Sequence, residues 1–219
     1  MSKNRERNLE DKFNKASCEI FKSKIKYKDL KISDFIELKN VLSNIHNIIT
    51  MKVTEAFINK LEIDKFITCE QAERMKSLVN NTSASANGYD VRYDESTNRK
   101  ILAEVKCNLP YNKSTFGSGQ IDGIFDDIKG LLKGKNKEKI KTDDYYKFMV
   151  FLSYENGEGK SVEKSVKNLI NYLSDDKKKY KGEYNGEYKG KLEYYEDDSA
   201  NSMTKEKVYI IFISLDKKY

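Results

Sequence analysis

"YDVRYDESTNRKILAEVKCN", Tyr89 to Asn108, decides the fold. Two runs of alternating character flank the polar turn "ESTN", the pattern of a β-hairpin. In the second run Ile101, Ala103, Val105 and Cys107 share one face, while Leu102, Glu104, Lys106 and Asn108 share the other. In the first run Asp90, Arg92 and Asp94 also fall on one face. Charged side chains at alternate strand positions are ordinarily a solvated face, so the question is whether Glu104 and Lys106 are merely wet or do chemistry.

Downstream of the hairpin the period becomes helical. "QIDGIFDDIKGLLKG" repeats Ile121, Ile124, Phe125, Ile128 and Leu131 at helical spacing. "YYKFMVFLSY" then reads as a strand buried on both faces, "SVEKSVKNLINYL" as an amphipathic helix, and "KVYIIFISL" as a second buried strand. Upstream, residues from about 7 to 80 read as helices, with Ser33 and Thr68 as N-caps and a capping box between Thr68 and Gln71. Ala72, Met75 and Val79 form one face of the last of these helices. Strands alternating with helices predict an α/β fold: a three-layer α/β/α sandwich around a mixed central sheet, antiparallel at the hairpin and parallel after it. The expected organisation is a single domain over 1–219, with a mainly helical part at 1–80 and an α/β core at 81–219. The core carries a Tyr/Gly/Lys-rich insert at 177–200, where a Tyr-x-Gly-x unit repeats within Tyr180–Tyr195. That insert reads as a low-complexity surface ribbon, or else as a basic, aromatic loop for nucleic acid.

Composition narrows the chemistry. Charged residues make up 35% of 219 and the mean hydropathy is −0.77, yet apolar residues are gathered into periodic segments, as in a folded protein with a polar surface. The formal charge of +6, carried mostly by lysine, is compatible with a phosphate-backbone partner. No stretch approaches the length of a membrane span, and "MSKNRERNLEDKF" lacks the apolar segment of a secretory signal, so a cytoplasmic location is expected. Cys18, Cys69 and Cys107 are far apart and suit reduced thiols. The single histidine, His46, in "VLSNIHNIIT", reads as a helix residue packed beside Ile45 and Ile48. Two-histidine metal sites and paired-histidine acid–base chemistry are thereby excluded, so hydrolysis would rest on carboxylates, lysine and a hard metal ion.

If the strands pair around "ESTN", a carboxylate from Asp90 or Asp94 comes near Glu104 on the adjacent strand. Two acidic side chains and the backbone carbonyl of Val105 would begin a hard-oxygen site suited to Mg²⁺, with Lys106 beside it to hold or help deprotonate a water.

Here the sequence resembles the PD-(D/E)XK nuclease superfamily: "GYDV" is followed across the turn by "EVK", within an element order of helix, hairpin, helix, strand, helix, strand. The motif spans Gly88 to Lys106 and the looser likeness Thr68 to Leu215. Tyr89 stands where the family has proline. The resemblance implies a restriction-endonuclease-like fold, with Asp90 and Glu104 as Mg²⁺ ligands and Lys106 acting on the water. Asp94 is the alternative first ligand. Glu70 and Gln120 are candidates for accessory positions that some members fill from the flanking helices. The implied activity is that of a type II restriction endonuclease: a homodimer cutting double-stranded DNA at specific sequences to leave 5′-phosphate and 3′-hydroxyl ends. Ser83, Ser85 and Asn87, in the loop leading to the site, are expected DNA contacts. A structure-selective repair or junction-resolving nuclease, or a non-catalytic nucleic-acid-binding protein, are the alternatives.

Overall fold

The computed structural model describes residues 11, 13–18, 30–81, 88–95, 99–135, 140–155, 159–175, 179–180, 183–184, 188–196 and 202–216. The chain divides into two compact units, Met1–Asn47 and Ile48–Tyr219. The division falls well before residue 80, where the hydropathy pattern changes, because the helices from Ile48 onward bury their apolar faces in the second unit.

In the first unit a helical stretch at 13–18 brings Phe13 against Phe35, with ring centroids 5.9 Å apart. Helix α1, Ile32–Ile63, begins one residue before Ser33. Ser33 is therefore not its cap: the Lys31 carbonyl accepts the first helical bonds, and Asp34 Oδ2 reaches back to accept from the Lys31 N–H at 2.7 Å. His46 lies on α1 as expected but is exposed, as are Ile45 and Ile48, so it is not packed in a core.

The second unit is a mixed α/β body. Its further elements are α2 (Cys69–Asn81), β1 (Val91–Tyr93), β2 (Lys100–Lys106), α3 (Ser118–Lys133), β3 (Tyr145–Leu152), α4 (Val162–Leu173), β4 (Lys179–Tyr180), β5 (Glu183–Tyr184), β6 (Leu192–Tyr194) and β7 (Val208–Ile213). Five strands form one sheet in the order β1-β2-β3-β7-β6, and β4 pairs with β5 separately. Strand β1 is antiparallel to β2, with Val91 opposite Ala103. The β2–β3, β3–β7 and β7–β6 pairs are all parallel.

This order dictates where the helices go. From β2 to β3 to β7 the chain steps in one direction across the sheet, and right-handed crossovers in one direction all fall on the same face. Accordingly Ile124, Phe125, Ile128 and Leu131 of α3 and Val166, Leu169 and Leu173 of α4 share one core with Leu102, Met149 and Ile210 of the strands. The opposite face would otherwise be bare. The later part of α1 (Val53, Phe57, Leu61) and α2 (Ala72, Met75) cover it, packing on Ile101, Ala103, Val105, Phe148 and Ile211. Thr68 caps α2 as expected: its Oγ1 accepts from the Gln71 N–H at 3.2 Å and Gln71 Oε1 accepts from the Thr68 N–H at 2.9 Å.

Within the insert, the described residues 188–196 depart from the reading as a surface ribbon; the side chains of the repeat from Tyr180 to Glu187 lie outside the described residues. Tyr188 is buried edge-on against Phe125, Tyr194 stacks on Phe212 and Tyr195 packs on Phe148. Leu192–Tyr194 joins the main sheet. Three aromatic side chains supply apolar area that outweighs the polar surroundings in sequence, so these tyrosines pack inside rather than stand ready to stack on bases.

Candidate active site

Strand β2 lies between β1 and β3, with helices over both of its faces, so the face bearing Glu104 is not wet. Glu104 is only 4% exposed. Asp90 immediately precedes β1, which runs antiparallel, so it stands at the same sheet end as Glu104 and Lys106. That end is also where the parallel strands β3 and β7 finish, the usual place for a site in an open α/β sheet. Asp90 Oδ2 accepts a 2.7 Å hydrogen bond from the Val105 N–H, continuing the ladder by one side chain beyond the end of β1. It is thus the N–H of Val105 that meets Asp90 here.

Two residues not foreseen complete the cluster. Asp127, from the middle of α3, pairs through Oδ2 with Lys106 Nζ. Lys135, just beyond α3, places Nζ 2.5 Å from Glu104 Oε1 and 3.4 Å from Asp127 Oδ1. The contact to Glu104 is an ion-pair distance without the alignment of a hydrogen bond. The Lys135 ammonium also lies 4.9 Å from the centroid of the Tyr89 ring, whose hydroxyl donates to the Gly130 carbonyl at 3.0 Å.

Three carboxyl groups thus stand together with two ammonium groups in a largely water-excluded place. Burial pushes the Glu104 carboxyl up to about 8, with the nearby Asp127 and Asp90 carboxylates adding to it and Lys135 opposing. Burial also raises Asp90, against the opposing pull of the Val105 N–H and Lys106. For Lys135 burial works against the charge, but Glu104 and Asp127 outweigh it and hold the ammonium above its ordinary range. Mutual repulsion among buried carboxylates marks a place where a hard cation would be welcome, and the donors are the oxygens Mg²⁺ prefers. Asp90 and Glu104, with Asp127 adjacent, are the side chains that could hold it. As they stand, among the described residues no three metal-ligating side chains converge closely enough to grip an ion, and Lys135 lies between Glu104 and Asp127.

The other candidates lie elsewhere. Asp94 sits opposite the start of β2, about 13 Å along the strand from Glu104. It is taken up by Arg92 Nε at 2.7 Å and by the Tyr145 hydroxyl, which donates to it at 2.5 Å. Glu70 is exposed and pairs with Arg74 at 2.6 Å; Arg74 in turn faces Glu95 beyond the far end of β1, so Glu70 is not at the site. Gln120 is spent on starting α3: its Oε1 accepts from the Gly117 N–H at 2.9 Å and its Nε2 donates to the Leu109 carbonyl at 3.1 Å. Ser83, Ser85 and Asn87 lie outside the described residues. The three cysteines are free, and among the described residues no helix is long and apolar enough to cross a membrane.

No family model, no curated protein and no solved structure matches this chain.

Proposed function

We propose that this protein is a metal-dependent endonuclease of the PD-(D/E)XK kind, with a restriction-endonuclease-like sandwich, cutting double-stranded DNA at specific sequences as a homodimer. The observation that carries the reading is the burial of Glu104 beside Asp90 at the carboxyl end of β2, with Lys106 two residues on. A solvated strand face would keep its carboxylate in water, since burying a carboxyl against two others brings the fold no stability.

Mg²⁺ bound there would offset the charge growing on a phosphate in the transition state. The chain's own groups do the rest. Asp90 and Glu104 come from adjacent strands, so their separation is set by the sheet and not by a loop. Lys106 is held by Asp127, which aims a donor toward the mouth of the site, where it orients the attacking water and supports the phosphoryl oxygens. In-line attack by that water forms a new P–O bond as the P–O3′ bond breaks; the water gives up a proton to solvent and the departing 3′-oxygen takes one up, which leaves 5′-phosphate and 3′-hydroxyl ends. The positive balance of the chain favours a polyanionic substrate.

The test is incubation of the protein with long duplex DNA, with and without Mg²⁺, beside Lys106→Ala and Glu104→Ala. Discrete Mg²⁺-dependent fragments are expected, with a loss of 10³-fold or more, in order of magnitude, for Lys106→Ala while duplex binding persists. Cutting confined to branched substrates would make it a structure-selective nuclease. Intact DNA throughout would refute the catalytic reading.

A further inference from the structure

Lys135 reaches the site by a route that several separate features hold open. Helix α3 ends at Lys133, and Gly134 follows with φ 87° and ψ 157°, a conformation that residues with a Cβ rarely adopt. The chain therefore turns so that the Lys135 side chain lies back across α3. It passes over Gly130, where an added Cβ would lie 3.0 Å from Lys135 Cγ and 3.1 Å from Cε. Gly130 is thus a notch for the lysine stem, and its carbonyl fixes the Tyr89 ring beside the ammonium. The side chain ends on Glu104 and Asp127.

We propose that Lys135 is a built-in counter-cation: its ammonium holds the place at Glu104 and Asp127 that a divalent cation takes, and it leaves when the cation binds. This rests on the reading of the cluster as a hard-metal site. The two lysines of the site differ in the way the idea requires. Lys106 is fixed on a central strand, whereas Lys135 follows a glycine turn and can swing out without disturbing the sheet. An ammonium and a divalent ion bound to the same buried carboxylate repel each other with little screening, so they exclude one another. The lysine offsets the negative charge of the cluster in the resting chain and sets a threshold of cation concentration below which the site stays closed.

Mn²⁺ serves as the probe, with its binding to the full chain followed by titration calorimetry and by loss of the free-ion paramagnetic resonance signal. Lys135→Gln removes the competing charge and is expected to bind Mn²⁺ about tenfold tighter or more, whereas Lys135→Arg, which keeps the charge, stays near the parent chain. Gly130→Ala supplies an independent route. Alanine suits a helix, and its Cβ pushes the lysine stem by a few tenths of an ångström, so affinity should rise part of the way toward that of Lys135→Gln with the fold retained by circular dichroism. Equal affinity in the parent chain and Lys135→Gln, with binding lost in Glu104→Gln, would overturn the counter-cation and leave the metal site standing. Weaker binding in Lys135→Gln would overturn it too, since the lysine would then be helping to hold the ion. Absence of Mn²⁺ binding in every chain would overturn both the inference and the metal-dependent reading beneath it.

Discussion

Glu104→Gln keeps the side chain's shape while removing its ability to ionise, so it isolates what the buried carboxyl does to the fold. In the folded chain burial, Asp127 and Asp90 push this group from its ordinary 4.5 up to about 8. Between those values the folded state holds a proton that the unfolded chain has released. The stabilising contribution of the neutral carboxyl is fully present below about pH 4.5 and is lost as pH rises through about 8. At about 1.4 kcal/mol per pH unit the span sets a ceiling of about 5 kcal/mol, which water penetration and movement of Lys135 reduce to roughly 2–3 kcal/mol. The amide of the variant carries no such penalty, and its carbonyl dipole can still face the Lys135 ammonium. Urea unfolding of both chains at pH 5, 6, 7, 8 and 9 in the presence of a chelator gives the answer. Subtracting the two curves cancels the titrating groups that lie away from Glu104. The variant should gain on the parent steadily from pH 5 to pH 8 and stay level above that. Parallel curves over the whole range would mean that Glu104 ionises like a solvated carboxylate, and the buried acidic cluster would have to be abandoned.

The other predictions use the same geometry. Asp127→Asn releases Lys106 and removes a negative neighbour of Glu104, so DNA cleavage should fall roughly 10–100-fold, with the acidic limb of the rate profile moving to lower pH; a fall in rate with an unmoved profile would make Asp127 only structural. Asp94→Ala should leave cleavage within about twofold, because this carboxylate serves Arg92 and Tyr145 at the other end of the hairpin, and should cost about 1 kcal/mol in urea unfolding. A cleavage loss of about 10²-fold would instead return Asp94 to the metal. Phe148→Ala empties a fully buried place ringed by Phe57, Phe66, Tyr195 and Tyr209, and should lower stability by about 3–5 kcal/mol in the same assay.

The hairpin, the alternation of helices with strands and the switch from antiparallel to parallel pairing were all legible in periodicity, because each element carries its own hydrophobic pattern. Asp90 and Glu104 were legible for a related reason: antiparallel pairing about a short turn is a local rule that places one beside the other. What sequence spacing could not reveal was the third carboxylate and the second lysine, which reach the site through a crossover helix and the turn beyond it. Yet each left a trace. Asp127 falls between Ile124 and Leu131 on the apolar stripe of α3, where an acid has no reason to be unless something in the core receives it. Gly130 is costly within a helix and becomes intelligible with the Lys135 stem lying across it, whereas Gly134 suits the helix end, where the chain turns at positive φ. The misread insert shows the opposite case. Its four-residue repeat of tyrosine with glycine and lysine carries no aliphatic stripe, and the packing of Tyr188, Tyr194 and Tyr195 depends on partners that α1, α3 and the sheet supply only once assembled. Local pattern therefore located the strand that bears the buried carboxyl, while the groups that surround it came from helix positions whose oddity was the signal.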